Sequence, residues 1–202
     1  MKENIRAVIT LTVITLTAGI LLGYVYELTK QPIAEKTLEA KLNSYRTVFP
    51  DAADFAESEK VDTGSAAAVL SDNGYDKESV DECLAAVDAG GSELGYVMTV
   101  TTAEGYGGDI TISMGVRNDG TLNGIEILSI SETAGLGMKA DTDEFKDKFR
   151  DKKVAQFNYT TSGAAAEYEI DALSGATITT NAMVNAVNAG LSYAKSLGCE
   201  AD

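Results

Sequence analysis

The 202-residue chain contains no histidine and no tryptophan. Without histidine it lacks the usual acid/base group of neutral pH, any His-ligated zinc, and both Ser-His-Asp and Cys-His nucleophilic schemes. Its two cysteines, Cys83 and Cys199, lie far apart with no C-x-x-C spacing, which argues against metal or iron–sulfur ligation, and no metal site is expected. A disulfide between them and a pair of free thiols are both compatible with the sequence. Basic residues are scarce: 16 Lys and Arg against 31 Asp and Glu leave a formal charge of −15. Nucleic acid is excluded as a partner, because it needs clustered cations to neutralise phosphates. Docking on anionic headgroups is disfavoured for the same reason. The bland reading of this excess is a solvated acidic surface.

What the chain has in quantity begins with one apolar run. Ala7 to Tyr26 is 20 residues without a charge, between Lys2 and Arg6 on one side and Glu27 and Lys30 on the other. At about 1.5 Å per residue, such a helix spans roughly 30 Å, the thickness of a hydrocarbon core. A cleaved signal peptide is the competing reading, but its apolar region is usually shorter and no small-x-small cleavage site follows. A retained single span is expected, with membrane lipid around it. Its threonines, Thr10, Thr12, Thr15 and Thr17, can bond back to their own helix or across to a neighbour. Charge bias says little about orientation, since Lys30, Lys36 and Lys41 balance Lys2 and Arg6. Tyr24 and Tyr26 suit an interfacial belt. The expected division is a tail at 1–6, a transmembrane helix at 7–28, a stalk helix at 29–50 and a domain at 51–202.

Pro32 fits the first turn of the stalk helix, with Leu38, Leu42, Tyr45 and Phe49 at three- and four-residue steps and Pro50 ending it. Asp51 to Gly74 is poor in large apolar residues and reads as irregular connection. Lys77 to Val87 offers a short helix carrying Val80, Cys83, Leu84 and Val87 on one side, closed by Gly90-Gly91. Strand periodicity then takes over. Leu94, Tyr96, Met98 and Val100 alternate with smaller residues, as do Ile110, Ile112, Met114 and Val116. Asn118-Asp119-Gly120 marks a turn, and Leu122 to Ile130 returns as hairpin partner. Its apolar residues change parity between Ile127 and Leu128, which predicts a bulge. A short helix over Asp143 to Arg150 turns Phe145 and Phe149 inward, and a last strand around Tyr168 to Ile170 leads to Asp171. This order of hairpins and helices predicts an α+β domain with an antiparallel sheet flanked by helices.

The segment richest in chemistry is Asp171-Ala-Leu-Ser-Gly-Ala-Thr-Ile-Thr-Thr180. Met183, Val184, Val187, Leu191 and Ala194 behind it form the stripe of an amphipathic helix, and Gly198 sits where a cap belongs. A helix start presents free N–H groups and the positive end of a dipole, which suits a phosphate. Ser174-Gly175-Ala176 lacks bulky side chains, so a ligand can approach the backbone. An ordinary Ser/Thr-rich helix cap fits the same residues. Thr179 and Thr180 read as caps or phosphate donors. Gly105-Tyr106-Gly107-Gly108 is not followed by a helical pattern, so a dinucleotide loop is a poor reading and a flexible connection the default.

Asp171-x-x-Ser174-Gly175-Ala176-Thr177 resembles the flavinylation motif of the FMN-binding domains in the Rnf ferredoxin:NAD oxidoreductase and the sodium-translocating NADH:quinone oxidoreductase. Gly105 to Gly108 and Glu132-Thr133-Ala134-Gly135-Leu136-Gly137 are similar to two further segments of the G subunit of the Rnf complex, in the same order along the chain. Ala134 stands where that family usually has Pro, and Ser131 where many members have His. The resemblance implies a single-pass cell-membrane protein with its domain outside the cytoplasm, working among other membrane subunits. It implies FMN held covalently, through its phosphate, on Thr177. A threonine hydroxyl is weak unaided, so a separate flavin transferase is implied as a second partner. Around the flavin it places Gly105, Tyr106, Gly107, Glu132, Thr133, Leu136 and Gly137. Thr180 is a phosphate donor on this view, Lys139 a charge balance, and Asp171 a recognition signal or structural cap. The resulting protein passes electrons and catalyses nothing alone. Two alternatives are a non-redox, membrane-anchored binding or assembly protein and a stand-alone flavinylated protein of extracellular electron transfer.

Overall fold

A computed structural model describes residues 2–200. The chain divides into two compact units, Met1–Ala40 and Lys41–Asp202.

The first unit is part of helix α1, which runs from Lys2 to Val48. From Asn4 onward α1 is long and apolar enough to cross a membrane. Thr12, Thr15 and Thr17 donate back to the carbonyls of Val8, Leu11 and Val13, so their hydroxyls are satisfied inside the helix. Pro32 does not start a second helix as expected. It lies in the interior of α1, where its missing N–H costs one backbone bond to Leu28 O.

The second unit is built on a five-stranded antiparallel meander in the order β1 (Asp54–Ala56), β2 (Glu78–Val87), β3 (Glu93–Thr102), β4 (Ile110–Arg117) and β5 (Leu122–Ser129). Successive strands pair throughout, so every strand lies beside its neighbour in sequence. One face carries Tyr96, Met98, Val100, Ile112, Met114 and Val116, all at most 1% exposed. Helix α4 (Thr177–Ser196) packs there, burying the expected stripe of Met183, Val184, Val187, Leu191 and Ala194. A Cβ on Gly190 would strike Met114 Sδ, so this glycine sets how closely helix and sheet approach. α4 ends at Gly198 (φ 95°) with Cys199 N donating to Ala194 O and Gly198 N to Lys195 O, the paired bonds of a Schellman cap.

The other sheet face receives the last turns of α1. Tyr45, Val48 and Phe49 are buried there with Ala86 and Val97. Tyr45 Oη contacts Glu82 Oε2 at 2.6 Å and Thr99 Oγ1 at 2.7 Å. Gly115 is obligatory beneath them, because a Cβ would run into the Val48 carbonyl oxygen.

Two further expectations fail. The stretch expected as a helix over 77–87 forms β2 (Glu78–Val87) instead. A register shift leaves Asp81 unpaired between Val80↔Val100 and Glu82↔Thr99, which turns the inward series Val80, Cys83, Ala85 into a helix-like spacing. Residues 51–74 are not irregular: they contain β1 and helix α2 (Thr63–Asp72). α2 is capped by Asp62, whose Oδ1 accepts from Gly64 N at 3.0 Å, and packs against β2 and α4 through Ala66 and Leu70.

The remaining elements connect the sheet to α4. The predicted bulge in β5 is present: Thr111 pairs with Ser129 and Ile112 with Ile127, leaving Leu128 out. A 3₁₀ turn (Gly137–Asp141), α3 (Asp143–Lys146) and a second 3₁₀ turn (Asp147–Phe149) bury Phe145 and Phe149. Strands β6 (Asn158–Thr160) and β7 (Glu169–Asp171) form a separate parallel pair that delivers the chain to the start of α4.

Candidate functional site

Ala176, the residue capping α4, makes no side-chain cap hydrogen bond. The Ser/Thr-rich segment is therefore not a self-capped helix start. Its donors are used elsewhere. Thr180 Oγ1 accepts from Leu173 N and donates to Ala176 O, both at 3.0 Å, pinning the preceding turn to the helix. In that turn Ala176 N reaches Leu173 O at 2.9 Å, and Gly175 has a φ of 75°, a left-handed value that favours glycine. Thr177 is left as the first helical residue, exposed, beside backbone N–H groups and the positive end of a helix dipole.

Thr177 opens onto a cleft of about 610 Å³, within the range of small-molecule sites. Three segments make its walls: Tyr106 from the glycine-rich loop, Glu132, Thr133, Leu136 and Gly137 from the loop after β5, and Gly175 to Thr179 from the turn and first helical residues. These segments are fixed to one another. Gly107 N donates to Glu132 Oε1 at 3.2 Å. A Cβ on Gly137 would lie 2.6 Å from both Glu132 Oε2 and Thr179 Oγ1, and one on Gly175 would lie 3.2 Å from Leu136 Cδ2. A Cβ on Gly107 would meet the Ser131 carbonyl. The three segments approach this closely because side chains are missing at these positions. Tyr106, Ile178 and Leu136 are 71%, 56% and 42% exposed, so the mouth of the cleft is apolar and open.

A second cleft, about 450 Å³, shares Thr177 and Ile178 with the first. Lys77, Glu104, Tyr159 and Asn181 line it. Glu104 accepts from Asn185 Nδ2 at 2.5 Å and from Lys77 Nζ at 3.1 Å. Those bonds, Asn185's first, hold its carboxyl below the usual range. Nearby Glu78 behaves oppositely: burial raises it, although Thr102 Oγ1 donates to it at 2.8 Å.

Of the residues expected at the site, Tyr106, Glu132, Thr133, Leu136, Gly137, Gly175, Ala176 and Thr177 line the first cleft. Gly105 and Gly107 stand behind it as spacers against Gly108, Glu132 and Ser131. Ser174 is exposed on the turn, and Thr180 is buried in the contacts above. Asp171 faces away, its Oδ1 accepting from Ala164 N at 2.6 Å, so it anchors the loop between β6 and β7. Lys139 lines neither cleft. Sequence reading missed Lys77, Glu104, Ile178 and Asn181. A usable signal was the polar spacing Thr177, Asn181, Asn185 on one side of α4. A further cleft of about 560 Å³, beside Tyr75, Lys195 and Cys199, contains none of the expected residues.

Fold and site together define an FMN-binding domain, and the model of that family matches residues 105–192. Over 195 residues the chain is 31% identical to the G subunit of an ion-translocating oxidoreductase complex from Methanosarcina acetivorans, covering 95% of both chains. It is 29% identical over 191 residues to the G subunit of the Na⁺-translocating ferredoxin:NAD⁺ oxidoreductase complex of Acetobacterium woodii (93% of this chain, 89% of the relative). The corresponding subunit of the proton-translocating complex of Clostridium ljungdahlii is 28% identical over 177 residues (88% and 84%). The chain belongs to the G-subunit family of ion-translocating oxidoreductase complexes.

Proposed function

We propose that this protein is the electron-carrier subunit of a membrane-bound, ion-translocating ferredoxin:NAD oxidoreductase of the Rnf type, with FMN esterified through its phosphate to Thr177. The observation that carries this reading is the uncapped start of α4. Thr177 is its first residue, exposed at the wall of a cleft cleared by Gly137 and Gly175. A phosphate on that hydroxyl receives backbone N–H groups and the helix dipole with no competing cap.

Bound FMN supplies reversible one- and two-electron chemistry, and the chain supplies position and potential. Leu136, Ile178 and Tyr106 offer apolar surface to a planar ring. Glu132 and Thr133, which line the same cleft, would offer it polar atoms. Glu132 is held by Gly107 N, so its orientation is fixed before the ring arrives. With Tyr106, Leu136 and Ile178 exposed at its mouth, the cleft would leave a bound flavin accessible to redox partners. Among the described residues no side chain hydrogen-bonds to the Thr177 hydroxyl, so attachment needs a flavin transferase: the Thr177 Oγ–phosphorus bond forms, the pyrophosphate of FAD breaks, AMP departs and the transferase takes the hydroxyl proton. α1 holds the protein in the cell membrane by one pass, among lipid and the other subunits, with the domain outside the cytoplasm.

Co-expression with a flavin transferase followed by denaturing electrophoresis tests the reading. A fluorescent band that survives denaturation, and is lost in Thr177→Ala, supports it. A dark wild-type band beside an active transferase overturns it.

A further inference from the structure

Thr177 heads a polar stripe. Thr177, Asn181 and Asn185 are spaced by four residues on α4, so they share one helix face. Along that face lies the second cleft, with Lys77 at the entry to β2 and Glu104 just past the end of β3. The lysine is placed by both backbone and side chain. Ala103 N donates to Lys77 O at 2.9 Å, and Lys77 Nζ reaches Glu104 Oε1 at 3.1 Å. The other oxygen of Glu104 accepts from Asn185 Nδ2 at 2.5 Å. A cation is thus tied, through a carboxylate that α4 itself anchors, to the cleft that Thr177 lines. Its side chain is 67% exposed, and an ammonium group has three donors, more than Glu104 uses.

The electrostatic need is local. A phosphodiester on Thr177 adds a negative charge to a chain already at −15, with Glu132 lining one adjoining cleft and Glu104 the other. A helix terminus offers about half an opposing charge. Lys77 is the single full cation among the residues lining the two clefts. Lys148 donates instead to Asp171 O at 3.2 Å. We infer that Lys77 is the cation that balances the phosphodiester on Thr177, with Glu104 and Asn185 as its positioning residues. This rests on the reading that Thr177 carries FMN.

The test is a thermal-stability cycle on the full-length protein in detergent, with and without co-expressed flavin transferase, for wild type, Lys77→Gln and Lys77→Arg. A lysine serving only Glu104 contributes equally to both forms. A lysine serving the phosphodiester contributes more once flavin is attached. The expected result is a Lys77→Gln loss in Tm larger by about 2 °C or more in the flavinylated form, shrinking with added salt, while Lys77→Arg behaves as wild type. Folded Lys77→Gln that labels several-fold less than Lys77→Arg also supports the assignment. Equal Tm losses in both forms overturn it, as do equal defects in Gln and Arg. A wild type that takes no covalent flavin sinks the Thr177 reading and this one together, whereas label with equal losses sinks this one alone.

Discussion

Gly107 and Glu132 are 25 residues apart, yet the glycine N–H donates to the glutamate Oε1 over 3.2 Å. That bond joins the glycine-rich loop to the loop after β5. The same side chain presses against Gly137, whose absent Cβ would also meet Thr179 on α4. Glu132, 9% exposed, therefore ties the glycine-rich loop to the loop after β5, and Gly137 beside it carries that packing on to α4.

Replacing Glu132 should loosen the walls. Glu132→Ala leaves the Gly107 N–H without its acceptor; because Gly107 is exposed, water takes part of that place and the loss is about 0.5–1.5 kcal/mol. Glu132→Gln keeps an acceptor oxygen and loses less. Thermal unfolding of the two variants orders them, and the visible spectrum of the flavinylated protein shifts in the alanine variant more than in the glutamine one. Equal stability of Ala and wild type would remove Glu132 from this role.

Gly137→Ala is the steric counterpart. Its Cβ would sit 2.6 Å from Glu132 Oε2 and Thr179 Oγ1, and overpacking of this kind costs about 1–3 kcal/mol. Because Thr179 is on the first turn of α4, the push reaches Thr177. Flavin attachment, read by in-gel fluorescence against total protein, is expected to fall well below wild type. Unchanged attachment would show that the two loops can separate freely.

How much of this was legible beforehand depends on whether a signal was local. The α4 stripe, its Gly198 cap, the β4–β5 hairpin and the Leu128 bulge follow from periodicity and turn residues within a few positions. β2 did not read as a strand, because the extra residue at Asp81 breaks the two-residue period. α2 was hidden because it meets its neighbours through small residues such as Ala66, although Asp62-x-Gly64 was a visible cap. At the site, the motif residues Thr177 and Glu132 could be named from sequence. Lys77 and Glu104 could not, since only strand pairing brings residues 27 positions apart to one edge.

The two thiols give a pH prediction. Burial pushes Cys83 up to about 12 and Cys199 up to about 11. Unfolded thiols ionise near about 8.5, so as pH rises the unfolded chain loses these protons first. Stability from the buried neutral thiols is complete below about 8.5 and declines as pH climbs toward the folded values. Urea midpoints between pH 7 and 10 should fall, less steeply in Cys83→Ala/Cys199→Ala. Iodoacetamide at pH 8 should label the thiols only after denaturation, and rapid native labelling would contradict their burial.

The boundary of the folded domain is also testable. Deletion of residues 1–40 keeps Tyr45, Val48 and Phe49 on the sheet and should give a protein soluble without detergent. Deletion of residues 1–50 strips these three side chains, each at most 2% exposed and each contributing about 1.5–3 kcal/mol by burial. Circular dichroism melts should show a cooperative transition for the first and a strongly lowered or absent one for the second. Equal melts would mean the end of α1 is dispensable.

The central claim is that Thr177 is a tether for flavin, and peptide mapping by mass spectrometry tests it most directly. Protein co-expressed with a flavin transferase should yield a Thr177-containing peptide heavier by one FMN less one water, with fragmentation placing the mass on Thr177. Flavin on another residue, or an unmodified Thr177 peptide alone beside an active transferase, would contradict it.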